Sequence, residues 1–188
     1  MSRNISTLIT NYVLFGLIFA SALSSISAQT FSNEKIWGGE FRSEGVWGIR
    51  SMANGSHYTV SDYDQDKGST IEKYSYNSGK KVSTIVTALD AFEDARESFS
   101  SYTFSTDERY ILMTTNTESL YRHSFYADFY IYDTESKELA TPLTDFSKGK
   151  QRLATFSPSA DKVAFVRNNN VFIANLMDGT EVQVTDDG

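Results

Sequence analysis

The sequence predicts an all-β fold built from a repeated unit of about four strands. Its 188 residues include 13 Phe and 11 Tyr but only 2 Pro, and aromatic side chains are enriched in strands. A turn followed by an apolar-rich strand recurs, and its serines Ser51, Ser105 and Ser157 are 54 and 52 positions apart. A period of about 50 residues with about four strands per unit is typical of the blades of a β-propeller.

The repeats predict about three blades, each a four-stranded antiparallel sheet. A polar hairpin before the last strand of each unit supports this count, and it begins at Tyr76, Tyr132 and Leu176. Asn, Asp and Gly in these hairpins supply the positive φ angles that tight turns need. Because known propellers have about 4–8 blades, the ring is expected to be incomplete, as in a fragment or in a chain that associates with further copies.

One short helix is expected between the first two units, within residues 87–98. Leu89, Phe92 and Ala95 fall on one face of it at helical spacing.

The N-terminus predicts export. Arg3 is the only charged residue before a short apolar run, Tyr12–Ala22, and small residues follow as far as Ala28, as in a secretory signal peptide. We therefore predict a signal peptide over 1–28, an irregular lead-in over 29–45 and a partial propeller domain over 46–188. The expected location is the periplasm or the exterior, and the alternative is a membrane anchor formed by residues 12–26.

Composition excludes several classes of site. The net charge is −7 without a basic cluster, which argues against nucleic-acid binding. The absence of Cys excludes disulfides and thiolate metal sites. Asp62–Gly68 resembles a calcium loop, but Lys67 and Lys73 occupy its sixth and twelfth positions. A hairpin is therefore predicted there, and no metal or cofactor is expected.

No self-contained catalytic site is expected. The nucleophile motif Gly-x-Ser-x-Gly is absent and only His57 and His123 could act as bases. His57 follows Asn54-Gly55, so it is predicted to be a solvated turn residue.

The segment Ser119–Ser124 stands out as a candidate binding site. It is predicted to lie between a strand over Tyr110–Thr115 and an aromatic-rich strand over Phe125–Asp133, with Arg122 and His123 in a loop. From composition alone, Arg122 would be a solvated surface residue.

Three sets of residues resemble the dipeptidyl peptidase IV family. They are Tyr121-Arg122-His123-Ser124-Phe125 followed by Tyr130–Asp133; Phe156-Ser157-Pro158 followed by Val163–Phe172; and the bacterial-type segments Gly48–Met52 and Thr180–Gly188. The resemblance implies that Arg122 binds the substrate carbonyl near its N-terminus, with His123 and Ser124 as neighbouring loop residues. A guanidinium suits this task because it stays charged and presents several fixed donors.

The resemblance also implies an enzyme larger than this chain. Members of the family are serine peptidases that remove N-terminal X-Pro or X-Ala dipeptides, and an eight-bladed propeller caps their C-terminal α/β-hydrolase domain. The expected partners are the N-terminus of a peptide substrate and that hydrolase domain, and a homodimer is compatible with the family. The catalytic triad and the paired Glu motif are expected beyond Gly188. The alternative function is a secreted, TolB-like propeller module that binds a protein or ligand without peptidase activity.

We expect cleavage after Ala28. N-terminal sequencing or intact mass of the exported protein should then give a chain that starts at Gln29, because the small residues that end at Ala28 suit signal peptidase. Recovery of a chain that retains Met1 in the membrane fraction would favour the anchor instead.

Overall fold

The computed structural model describes residues 31–188 apart from 43, 44, 46, 47, 95, 141, 142 and 144. The predicted signal peptide lies outside the described residues. The chain divides into two compact units between Gly45 and Val46. In the described part of the chain, no helix is long and apolar enough to cross a bilayer.

The first unit contains a short helix, α1 (Asn33–Trp37). The side chain of Ser32 caps it by accepting a hydrogen bond from the backbone N–H of Lys35 at 3.3 Å. The expectation that residues 29–45 are irregular is therefore wrong for these residues. A serine such as Ser32 favours the start of a helix, and the helix that follows it here has five residues.

The second unit consists of three four-stranded antiparallel blades, which confirms the predicted fold class. Blade 1 contains β1 (Arg50–Ser51), β2 (His57–Asp64), β3 (Gly68–Ser75) and β4 (Lys81–Thr87). Blade 2 contains β5 (Ser101–Phe104), β6 (Tyr110–Tyr121), β7 (Ser124–Asp133) and β8 (Glu138–Ala140). Blade 3 contains β9 (Gln151–Phe156), β10 (Lys162–Arg167), β11 (Asn170–Asn175) and β12 (Glu181–Gln183), and a 3₁₀ turn, Phe146–Lys148, precedes it.

Consecutive strands pair within each blade, and one backbone bridge, Ala127 to Gln151, joins β7 to β9. The hairpin predicted around Asp62–Gly68 is confirmed as the β2–β3 turn. The carboxylate of Asp64 accepts hydrogen bonds from the backbone of Asp66 and Lys67 at 2.9 and 3.0 Å, which closes that turn.

The predicted helix is shorter than expected and buries a different face. Helix α2 (Ala88–Phe92) begins with a capping box between Thr87 and Asp90, and it ends where Glu93 adopts a left-handed φ of 56°. Ala88 and Ala91 are buried, whereas Leu89 is 43% exposed. The helix terminates after little more than one turn, so the expected Leu89–Phe92–Ala95 face does not form, and Ala95 is outside the described residues.

The apolar core lies between the blades. Alternate residues of β6 point to opposite sides: Ile111 and Met113 pack against blade 1, and Tyr110 and Leu112 pack against blade 3. The core facing blade 1 contains Ile71, Val86, Ala91, Phe99, Tyr102, Ile111, Met113 and Tyr132. The core facing blade 3 contains Tyr110, Leu112, Ala127, Phe129, Ile131, Leu143, Val163, Phe165, Phe172, Ala174 and Leu176. Blade 2 is therefore buried on both faces.

The first turn of each blade has the same backbone geometry. The residue with positive φ is Gly55 in blade 1, Glu108 in blade 2 and Ala160 in blade 3, with values of 64°, 61° and 58°. In blades 2 and 3 a serine hydroxyl, on Ser105 or Ser157, accepts a hydrogen bond from the backbone N–H five residues later. Ser105 and Ser157 therefore close their turns, whereas the equivalent position in blade 1 is Met52 and not Ser51, since the backbone N–H of Met52 donates to the carbonyl of His57 five residues later.

The last hairpins also share one geometry, but the second was predicted in the wrong register. The left-handed residues are Gly79, Lys137 and Gly179, with φ of 63°, 61° and 70°. Tyr132 is thus still in β7, two residues before the position equivalent to Tyr76. The expectation that Asn, Asp or Gly supplies the positive φ fails in blade 2, because Lys137 adopts it.

We expect Lys137→Gly to stabilise the protein by about 0.5–1 kcal/mol, because glycine relieves the cost of the left-handed backbone at an exposed position. Urea titration would measure the change in the free energy of unfolding. The matched control is Lys162→Gly, which places glycine in strand β10 and should destabilise by about 0.5–1 kcal/mol. Equal destabilisation by both variants would contradict the turn geometry.

Candidate functional site

The candidate site lies at the end of a long hairpin in blade 2. Strand β5 pairs only with residues 111–114 of β6, and β8 pairs only with residues 131–133 of β7. Residues 116–126 therefore form a two-stranded extension beyond these neighbours, which we call the ribbon. The prediction that the first strand ends at Thr115 is wrong, since β6 continues to Tyr121.

Arg122 and His123 form the two-residue turn at the ribbon tip. Tyr121 pairs with Ser124 on either side of the turn. Both turn residues are exposed, and Ser124 is half-buried. Tyr121 and Phe125 beside the turn are also exposed, at 83% and 42%. Within the residues that the structure describes, the side chain of Arg122 makes no hydrogen bond or ion pair, so its guanidinium donors are available to a ligand.

The ribbon is irregular at its base. The β6–β7 register shifts between Thr115 and Glu118 and again between Ser119 and Tyr121. Asn116, in the first shift, adopts a left-handed φ of 46°, and its side-chain amide donates to the carboxylate of Asp128 at 2.9 Å. Such bulges bend a strand and increase its local twist, so the ribbon changes direction here.

Lys150 reaches the ribbon from the segment just before β9. Its ammonium group pairs with Glu118 on β6 and lies 5.7 Å from the ring centroid of Tyr126 on β7. The next residue, Gln151, forms the backbone bridge to Ala127. An open cavity of about 320 Å³ is lined by Asn116, Glu118, Tyr126, Ala127, Asp128 and Lys150. These contacts attach the base of the ribbon to blade 3.

A second arginine, Arg167 on β10, illustrates the opposite, structural use of a guanidinium. Its side chain is 7% exposed and pairs with Glu181, with one hydrogen bond of 2.9 Å between Nη1 and Oε2. It also lies over the ring of Phe172 at 4.2 Å from the centroid. The hydrogen bonds from Arg167 lower the pKa of Glu181. Arg167 is thus occupied by the fold, in contrast to Arg122.

The two histidines are on separate elements. His57 follows the first turn of blade 1, half-buried, and its Nδ1 lies 3.3 Å from the side-chain oxygen of Asn54. His57 is the first residue of β2 and pairs with Ser75 of β3, so the prediction of a solvated turn residue is wrong. His123 is at the ribbon tip in blade 2.

The contacts of Lys150, Glu118, Asn116 and Asp128 were missed from the sequence. Lys150 and Glu118 are 32 positions apart, and neither belongs to a local pattern. The sequence signal nearest to these contacts was the change from apolar to polar residues after Met113 in β6.

Comparison with known proteins identifies the family. A model described as the dipeptidyl peptidase IV (DPP IV) N-terminal region matches residues 105–188. A probable dipeptidyl peptidase 4 of Emericella nidulans is 40% identical over 127 residues, which are 67% of this chain and 15% of that protein. The crystal structure of Porphyromonas gingivalis dipeptidyl peptidase 4 matches with a TM-score of 0.68 and 38% identity, over 86% of this chain and 22% of that one.

The chain belongs to the dipeptidyl peptidase IV family. It corresponds to the N-terminal region of that family, and the family match includes Arg122, His123 and Ser124. A probable dipeptidyl-aminopeptidase B of Sclerotinia sclerotiorum is also 40% identical, over 85 residues that are 45% of this chain and 9% of that protein. The dipeptidyl peptidase IV relatives are therefore several times longer than this chain.

The different surroundings of the two arginines predict different costs of removal. Arg122→Ala should change the free energy of unfolding by less than about 0.5 kcal/mol, as for a surface position. Arg167→Ala should cost about 3–5 kcal/mol, because it leaves a largely buried Glu181 without its partner. Urea titrations of both variants would measure this, and a large cost for Arg122→Ala would mean that the arginine holds the fold.

Proposed function

We propose that this chain is the substrate-binding propeller part of an exported serine peptidase that removes N-terminal X-Pro or X-Ala dipeptides. The observation that carries the proposal is the exposed guanidinium at the ribbon tip, which has no partner within the described part of the chain and belongs to the segment Tyr121-Arg122-His123-Ser124 that resembles the family's cavity loop. The names of the relatives, dipeptidyl peptidase 4 and dipeptidyl-aminopeptidase B, support the same activity.

In this proposal Arg122 binds the peptide substrate, and the hydrolase domain carries out the cleavage of the peptide bond. The guanidinium donates hydrogen bonds to the carbonyl oxygen near the substrate's N-terminus and thereby fixes the dipeptide in register with the scissile bond. A C-terminal α/β-hydrolase domain supplies the nucleophilic serine, its histidine base and the acid that orients the histidine. The contribution of this chain is then orientation, which lowers the activation barrier by holding the reacting groups in place.

The chemistry of the ribbon tip favours a carbonyl ligand. Arginine remains protonated at all physiological pH values and presents its donors in a planar fork. Glu118, the acidic residue nearest to it along β6, is paired with Lys150, so Arg122 does not have to leave that carboxylate in order to bind a substrate. Binding a carbonyl therefore requires Arg122 to exchange hydration water for the ligand, without breaking an ion pair within the described residues.

We expect Arg122→Ala to reduce kcat/KM of the full-length peptidase by about 10- to 150-fold on a Gly-Pro or Ala-Pro chromogenic substrate. This is the effect of losing a charged hydrogen bond worth about 1.5–3 kcal/mol. Arg122→Lys should restore only part of the activity, because an ammonium group lacks the planar fork. Steady-state kinetics would measure both variants.

The control is Arg96→Ala, which removes an arginine that is 91% exposed and pairs with Asp94. It should leave kcat/KM within about twofold of the wild type, which is about 0.4 kcal/mol. A twofold or smaller effect of Arg122→Ala would end the substrate-binding role. Absence of peptidase activity from the full-length protein would favour the alternative, a TolB-like binding module.

A further inference from the structure

The ribbon needs support from outside its own two strands. Beyond the pairing with β5 and β8, β6 and β7 have only each other as strand partners among the residues that the structure describes, apart from the single bridge from Ala127 to Gln151. An isolated two-stranded hairpin is marginally stable in water. The position of Arg122 therefore depends on how the base of the ribbon is attached to the rest of the molecule.

Lys150 contacts both strands of the ribbon at the same level. Glu118, its ion-pair partner on β6, is directly opposite Tyr126 on β7 in the strand register. The ammonium group faces the ring of Tyr126 as well. Glu118 is four positions before Arg122 and Tyr126 four positions after it, so one side chain from blade 3 holds both strands at an equal distance from the tip.

We propose that Lys150, through Glu118 and Tyr126, is a positioning residue that sets the direction of the ribbon and hence the location of Arg122. This rests on the substrate-binding role of Arg122 proposed above. The contact lies directly beyond the first register shift, between Thr115 and Glu118, where a bulge makes the ribbon bend. Lys150 thus contacts the ribbon next to the bulge that sets its direction.

A small tilt of the ribbon at the Lys150 contact displaces the ribbon tip, where Arg122 lies. Four strand residues span about 13 Å, so a tilt of about 5° moves the tip by about 1 Å. A displacement of about 1 Å in a binding group can reduce a reaction rate by about 100-fold. The ion pair itself is exposed, at 61% for Lys150 and 58% for Glu118, and exposed pairs contribute little to folding stability. Its loss should therefore move the ribbon without unfolding the blades, whose cores are apolar.

The test uses the full-length peptidase with Lys150→Met and Glu118→Gln, which remove one charge each and keep side-chain size. Hydrogen–deuterium exchange of the ribbon, residues 116–126, should accelerate at least about fivefold, because its amides open locally more often. Exchange in residues 110–115 and the melting temperature should stay unchanged. On an Ala-Pro chromogenic substrate, kcat/KM should fall by at least about tenfold.

Two comparisons separate positioning through Arg122 from a general structural effect. In an Arg122→Ala background, Lys150→Met should cause no further loss of kcat/KM beyond about twofold, as expected for residues that act as a unit. The charge-swapped double variant, Glu118→Lys with Lys150→Glu, should restore part of the activity that either of these two charge reversals removes when it is made alone. Lys162→Met is the control, since Lys162 lies at the opposite end of blade 3, and it should change neither exchange nor kinetics.

Unchanged ribbon exchange in Lys150→Met would overturn the proposal, and so would a full additional loss of kcat/KM in the Arg122→Ala background. Failure of the proposed function has a different signature, namely normal kinetics for Arg122→Ala. In that case the exchange measurement still decides whether Lys150 holds the ribbon.

Discussion

The burial of blade 2 on both faces is the constraint on which the other features depend. Because successive side chains of a strand point to opposite sides, β6 can place Ile111 and Met113 against blade 1 and Tyr110 and Leu112 against blade 3. Both sets are apolar, so residues 110–113 of β6 have no polar face. This fixes the register of β6 and β7, since a slip of one residue would exchange the two sets and mismatch both cores.

The fixed register determines where the ribbon begins. The buried run of β6 ends at Thr115, next to the point where β5 stops pairing, and β6 continues beyond it with exposed side chains from Asn116 to Ser119. The blade can therefore carry a projecting hairpin whose sequence is free of packing demands. That freedom allows an arginine at the tip with no structural partner in the described part of the chain. It also leaves the direction of the ribbon to polar contacts, because no core surrounds it.

The parts of the fold that were predictable depend on local patterns. The richness in aromatic residues and the turns and hairpins that recur about every 50 residues identified the blades and their four strands, and Ser105 and Ser157 close two of these turns. The errors occurred where tertiary context overrides local preference. Lys137 adopts a left-handed backbone without any sequence signal, and α2 ends at Glu93 although the helical spacing of apolar residues continues. The extension of β6 to Tyr121 was missed because polar residues there gave no strand pattern.

The candidate site illustrates a deeper limit on prediction from pattern. The periodicity of apolar residues indicates which side chains are buried. It gives no information about a residue that must stay exposed in order to bind a ligand. Arg122 was therefore identified only by the resemblance to a family. The role of Lys150 is still harder to predict from sequence, since its partner Glu118 is 32 positions away and both side chains are mostly solvated. Folding stability is insensitive to such a pair, whereas the direction of a ribbon with few other contacts is sensitive to it. Residues that orient a binding group can thus be invisible to the energetics of the fold, and only the arrangement of strands in space brings them together.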